Sequence, residues 1–380
     1  MDLKARLRRY RDTRKLSASA TEEPCRITEE EKGSWADWIE AGFKTLKREL
    51  LLEVEVPVPN AFSGALPIVV PDILRMGKIP SPRALPNDLL FFDLETTGLS
   101  GGAGTIAFLA AFGRYAKGGG NAGLVITQYL LLDYPGESDF IERVAGEFAI
   151  LPSSLVVTYN GKSFDSQILK NRCLMNGMTP PEYFHADLLH PARRLWKRAL
   201  PDCSQATIEV SVLGLDRTGD VPGALAPEIW FSFLRSGDNS ELLSICDHNV
   251  KDIMGLAALF LALNGIAAAP FECFEKFHFD REALALLWRK ALKRNPHLFG
   301  DEEKKTGDLL LQSAARNGSP LAALIMAKDA EWHLKDYKLA LEYADSALAL
   351  PGISEELRED LLRRRLRLHS KLTGSTSTSR

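Results

Sequence analysis

The sequence predicts an α/β domain built on a mixed sheet, in which three antiparallel strands precede parallel ones and helices flank both. An all-α region follows it. Three observations carry this. Apolar runs rich in β-branched and aromatic residues, joined by glycine-rich links, fill positions 89 to 133. Helical and strand patterns then alternate to about residue 265, and beyond 280 only helical periodicity remains.

Taken in order, residues 1–86 form a lead-in. It has a basic start, MDLKARLRRYRDTRK, an amphipathic helix expected over SWADWIEAGFKTLKREL, and the irregular, proline-rich VEVPVPNAFSGALPIVVPDI. LLFFDLET, TIAFLAAFGRYA and LVITQYLLLD are strands of a meander, with KGGGNAG as a turn signal. SDFIERVAGEFAIL has helical spacing, LVVTYNG is a short buried strand, and SFDSQILKNRCLMNG is a helix stopped by glycine. FHADLLHPARRLWKRAL runs from a strand end into a basic helix, and SELLSICDHNVKDIMGLAALFLALNG is one long helix or a broken pair. Residues 266–280 are expected to be a linker, 281–372 a helical region, and 373–380 a disordered tail.

Composition sets bounds on function. A hydrophobic share of 45% and a charged share of 26% are those of a soluble globular chain. Net charge is −3, so any nucleic-acid surface must be local. The five cysteines are irregularly spaced, without C-x-x-C, as expected of reduced thiols in a cytoplasmic protein. No apolar run of the ~18–20 residues that span a membrane is expected, and the basic N-terminus lacks the apolar core of a secretory signal.

The chemistry starts at Asp93 and Glu95. Residues i and i+2 of a strand share a face, so the two carboxylates project together. Two such charges in a low-dielectric setting need a cation, and a hard divalent ion such as Mg²⁺ or Mn²⁺ suits oxygen ligands. A lone D-x-E also fits a strand end that caps a turn. Asp165 follows a buried strand where a helix begins, a position that also suits a helix cap. His248 and Asp252, four apart, lie on one face of a helix. Asp187, between His185 and His190, is expected to be a structural strand-end residue. Asp247 falls about 100° round the helix from His248 and is not expected to be a ligand.

Together, DLETTG, NGKSFD and DHNVKD resemble the three motifs of the DEDD exonuclease superfamily, in order, on the element order of a ribonuclease H-like fold. ETTGLSGGAGTIAFLAAFG, HADLLHPARRLWKRALPDCSQATIEVSVLG, DVPGALAPEIW and HNVKDIMGLAAL are similar to its YprB-like group. That group joins the nuclease-like domain to a C-terminal tetratricopeptide-like region, which KDYKLALEYADSALAL resembles at Tyr337, Ala340 and Ala347. The resemblance implies that Asp93, Glu95, Asp165 and Asp252 bind two divalent ions, Mg²⁺ or Mn²⁺, in a 3′–5′ exonuclease acting on a single-stranded or frayed 3′ end of DNA or RNA. His248 would be the general base. Histidine-type members usually space this pair H-x-x-x-x-D, whereas here the spacing is H-x-x-x-D. Asn160, Lys162 and Phe164 would meet the substrate, as would Arg193 and Arg194 on the basic helix. A structure-selective endonuclease, or a non-catalytic adaptor that recruits a protein partner through the helical region, also fits the sequence. No membrane partner is expected.

Overall fold

The structure, a computed structural model, describes residues 35–53, 89–98, 104–116, 123–150, 155–294, 296 and 299–374. The basic N-terminal stretch, the proline-rich lead-in, most of KGGGNAG and the last six residues lie outside the described residues. The chain divides into two compact units. Described residues up to His190, and from Asp202 to Phe277, make the first; Pro191–Pro201 and those from His278 make the second.

The first unit is built on a seven-stranded sheet. Its strands are β1 (Ile39–Gly42), β2 (Thr45–Glu53), β3 (Leu89–Thr96), β4 (Ala107–Tyr115), β5 (Gly123–Leu131), β6 (Leu155–Thr158) and β7 (Phe184–Asp187). Their order is β1-β2-β5-β4-β3-β6-β7, antiparallel from β1 to β3 and parallel from β3 to β7. The expected meander is β3–β4–β5, and the two short apolar runs supply the parallel side.

The helix expected over SWADWIEAGFKTLKREL is corrected: this segment is the β1–β2 hairpin. Its apolar spacing resembles a helix, but β2 meets the open edge of β5 and pairs with it over nine residues, from Thr45↔Leu131 to Glu53↔Gly123. Ladder pairing outweighs local periodicity.

The first unit's helices are α1 (Glu137–Ala149), α2 (Asp165–Met175), α3 (Leu189–Trp196, which continues into the second unit), α4 (Gln205–Ile208), α5 (Ala226–Ser236), α6 (Ser240–Ala268) and α7 (Pro270–Cys273). Residues expected to form a linker therefore hold the end of α6 and all of α7. Helix α6 is one unbroken helix of 29 residues. Contrary to the expectation that no such run exists, it is long and apolar enough to cross a membrane, with a window of mean hydropathy 1.6. That window is 78% buried, so its composition is that of a core helix.

Alternation on β3 decides where the acids point. Phe92 stacks on Phe112 and meets Phe148 of α1 on one face of the sheet. Phe91 meets Tyr115 and Phe260 of α6 on the other. Asp93 and Glu95 share the face of Phe91, and so are aimed toward α6. Gly113, opposite Phe91, lets the helix in: a methyl group there would lie 2.6 Å from Ile253 Cγ2.

The second unit packs α8 (Arg281–Arg294), α9 (Asp301–Arg316), α10 (Pro320–Asp329), α11 (Tyr337–Leu348) and α12 (Glu355–Gly374) each against the next. Alanines 340, 344 and 347 of α11 are fully buried and allow close helix approach. Glu331 is also fully buried, and Arg364, Arg367 and Lys371 all donate to it. Hydrogen bonds from Arg367, with help from Lys371, hold its carboxyl at about 2, below the ordinary 4.5. A depressed carboxylate stabilises the fold above its unfolded value and loses that contribution as pH falls through the folded one. Glu331→Gln should therefore cost about 3 kcal/mol at pH 7, where it strands buried cations. Urea unfolding should show the gap between wild type and variant closing as pH falls from 4.5 toward 2.

Candidate metal centre

Asp93 and Glu95 come from the middle and end of β3, Asp165 is the first residue of α2, and His248 and Asp252 stand one turn apart on α6. His248 Nε2 lies 3.3 Å from Asp252 Oδ2 and 4.0 Å from Glu95 Oε1. One ligand atom from each of Glu95, His248 and Asp252 falls within 4.8 Å of the others, a group able to hold a metal ion. Asp93 and Asp165 stand outside this closest group but within reach of its charge. Burial, followed by the charges of Asp165 and Asp252, pushes Asp93 well above the usual carboxylate range. Glu95 is raised in the same direction by burial and by Asp93, Asp252, Asp165 and Asp220. Asp165 is raised to about 7 by burial and Asp187. Burial opposes a charged His248, but the hydrogen bond with Asp220 and the charge of Asp252 outweigh it and raise its pKa.

These shifts describe a pocket with too much negative charge for the cations the chain provides. Carboxylate oxygens and one imidazole nitrogen are the donors that hard divalent ions accept, and such an ion would relieve the repulsion directly. The donor set fits a divalent cation.

A family profile described as RNase H superfamily matches residues 90–264, the span that holds all five of these residues. The uncharacterized protein YprB of Bacillus subtilis strain 168 is 32% identical over 320 residues, covering 76% of both chains. The chain belongs to the YprB family, and its residues 90–264 match the RNase H superfamily. Among solved structures, the family B DNA polymerase of Pyrobaculum calidifontis aligns at 12% identity over 54% of this chain and 29% of that one, with a TM-score of 0.36. E. coli Exonuclease I, in complex with a dT13 oligonucleotide, aligns at 18% identity over 41% and 42%, with a TM-score of 0.29. This chain thus spans less than half the length of each of those two structures.

In this YprB-family chain several residues that sequence reasoning missed hold the cluster in place. Asn249, fully buried, donates to Asp93 Oδ2 at 2.7 Å and accepts from Gln128 Nε2 at 2.8 Å. Gln128 accepts from Arg48 Nε at 2.6 Å, and Arg48 stacks on Trp38 and pairs with Asp247. The hairpin read as a helix therefore reaches the site through two side chains. A buried Asn beside His248 was the available signal; nothing in the sequence pointed to Gln128 or Arg48. Arg217 and Asp220, from a loop, were missed as well.

Asp187 has the structural role expected of it: it accepts from the backbone N–H groups of Asn160, Lys162 and Leu189. It fixes the turn before α2, where Asn160 takes a φ of 65° that asparagine tolerates better than most residues. Asn160 is exposed, Lys162 half-buried with its pKa lowered by burial, and Phe164 packs partly against the core. His185 bonds Thr158 and Ser166, and burial, with Lys162, lowers it to about 4; His190 is exposed. Arg193 and Arg194 are exposed on the part of α3 that belongs to the second unit. Among the described residues, Cys173, Cys203, Cys246 and Cys273 are not joined in disulfides.

Glu95 has four acidic neighbours raising its pKa, so Glu95→Gln should melt at a higher temperature than wild type in EDTA. In saturating Mn²⁺ the order should reverse, since wild type gains binding energy (about 2.7 kcal/mol at 100 times the Kd) that the variant largely loses. Melting both proteins with and without the ion checks the pair of outcomes.

Proposed function

We propose that the protein is a metal-dependent nuclease, a 3′–5′ exonuclease that hydrolyses phosphodiester bonds at single-stranded or frayed ends of DNA or RNA. The observation that carries this reading is the grouping of Glu95, His248 and Asp252 within 4.8 Å, with Asp93 and Asp165 near enough for their charges to act on it. Membership of the RNase H superfamily supports it, and the direction of cutting rests on the resemblance of DLETTG, NGKSFD and DHNVKD to the DEDD motifs.

Bound Mg²⁺ or Mn²⁺ would supply a water of lowered pKa and neutralise charge at the phosphoryl group. Asp93, Glu95, Asp165 and Asp252 would hold the ions. His248 turns Nε2 toward the cluster, where it would accept a proton from the attacking water. Lys162 meets a substrate phosphate, and Asn160 and Phe164 frame the terminal nucleotide. Arg193 and Arg194 add sequence-independent affinity for the backbone. Cysteines not joined in disulfides suit a cytoplasmic setting.

One observation favours a second reading. Arg217 already places a cation on Asp252, at 2.5 Å, as a chain serving as a metal-free adaptor would. In that reading the helices of the second unit recruit a protein partner.

Incubation of the full chain with 3′- or 5′-labelled DNA and RNA, in Mn²⁺ or EDTA, separates these readings. The expected result is metal-dependent shortening from the 3′ end, lost in Asp93→Ala by more than the ~10–100-fold that removal of a metal ligand's outer partner causes. Cutting of circular single strands would instead indicate an endonuclease on the same site. Binding without cutting would favour the adaptor, and equal activity in Asp93→Ala would sink the site.

A further inference from the structure

The site contains one arginine whose guanidinium touches three acids. Arg217 Nε donates to Glu209 Oε2 at 2.6 Å, Nη1 to Asp220 Oδ2 at 2.7 Å, and Nη2 to Asp252 Oδ1 at 2.5 Å. Each contact leaves a particular atom of the cluster free. With Oδ1 of Asp252 held by Arg217, Oδ2 is the oxygen that faces His248 and Glu95. Asp220 Oδ2, oriented by the same guanidinium, lies 2.8 Å from His248 Nδ1. That leaves His248 Nε2 as the nitrogen turned into the cluster. Lys251 Nζ, 3.4 Å from Asp220 Oδ1, holds the other oxygen of that carboxylate.

The base of this arrangement is rigid. Glu209 is fully buried on a π-helical turn, Glu209–Leu213, of the kind often found where a helix serves a site. Gln205 Nε2 donates both to Glu209 Oε1, at 2.8 Å, and to the backbone oxygen of Asp252, at 2.7 Å. The Glu209 carboxylate occupies the space that Gly255 leaves on α6: a methyl group there would fall 1.6 Å from Oε1 and 2.2 Å from Cδ.

We propose that Arg217 and Asp220 are positioning residues of the metal centre. Arg217, seated on Glu209 across Gly255, presents Asp252 Oδ2 to the ion, and through Asp220 it keeps His248 as the tautomer protonated at Nδ1 with the Nε2 lone pair facing the cluster. Partners of this type fix ring orientation and ligand plane, and their loss typically costs 10–100-fold in metal affinity or activity. The placement explains how a histidine at H-x-x-x-D spacing serves the site: the carboxylate behind it sets the ring, so helix spacing alone does not. The inference deepens the nuclease reading and rests on it for the meaning of the cluster, but its geometry can be tested without any cutting.

The experiment uses the full chain as wild type, Asp220→Asn, Arg217→Gln, Arg217→Lys and Gly255→Ala, each checked for folding by circular dichroism and melting. In the metal-free protein labelled with ¹⁵N-histidine, at a pH above the raised His248 pKa where the ring is neutral, the His248 signal is assigned by its absence in His248→Gln. It should show the Nδ1-protonated tautomer in wild type and a mixture, or the opposite tautomer, in Asp220→Asn. Mn²⁺ affinity, measured by titration, should fall about 10–100-fold in Arg217→Gln and in Gly255→Ala, and be partly restored in Arg217→Lys. If oligonucleotides are cut, kcat should fall in these variants with KM within about threefold, because the substrate is held elsewhere. An unchanged His248 tautomer in Asp220→Asn, or an unchanged Mn²⁺ affinity in Arg217→Gln, would overturn the proposal. Absence of cutting by wild type would count against the nuclease reading alone, since the tautomer and Mn²⁺ measurements would still decide the role of Arg217 and Asp220.

Discussion

Asp93, Glu95, Asp165 and Asp252 repel one another inside the first unit, and burial strengthens that repulsion by removing the water that would screen it. Much of the surrounding structure answers this one cost. β3 is paired with β4 along its acids and with β6 just before them, so the acids cannot swing out to solvent without breaking ladder pairing. Asn249 donates to Asp93, and Gln128 and Arg48 continue that chain of donors to the hairpin. Arg217 takes one oxygen of Asp252 and also one of Asp220. These groups offset the repulsion in part, and burial with the remaining acidic charge still holds Asp93 and Glu95 above the usual carboxylate range.

Glu331 in the second unit is a useful contrast. It is as buried as any acid of the candidate centre, yet three cationic side chains donate to it and its pKa moves down. A buried carboxylate satisfied by its own chain is a structural element; a set of them left short of cations is a candidate site. The two cases occur in one protein and differ in how many cationic donors reach the carboxylates.

Helix α6 joins the chemistry to the core. Its first half carries His248, Asn249 and Asp252, and its second half, from Ile253 onward, is almost continuously buried and apolar. The buried half fixes the helix against β3–β6, with Gly113 and Gly255 allowing contacts that a methyl group would block. The polar half is thereby held in register with β3. The membrane-like composition of α6 and the rigidity of the site thus have the same origin.

The sequence by itself determined the mixed sheet, the shared face of Asp93 and Glu95, and the one-turn spacing of His248 and Asp252. These follow from periodicities of 2 and 3.6 residues that act over a few positions. The helical character of the C-terminal half was legible for the same reason. The tertiary structure decided what depends on contacts between distant segments. The stretch from 39 to 53 became a hairpin because β5 offered an open edge, which no local pattern records. Asn249, Gln128, Arg48, Arg217 and Asp220 joined the centre through bonds that cross from 8 to about 200 positions of chain, so no spacing rule could have collected them. Local geometry was written in the residue pattern, whereas the neutralisation of buried charge depended on which residues the fold brought within hydrogen-bonding distance.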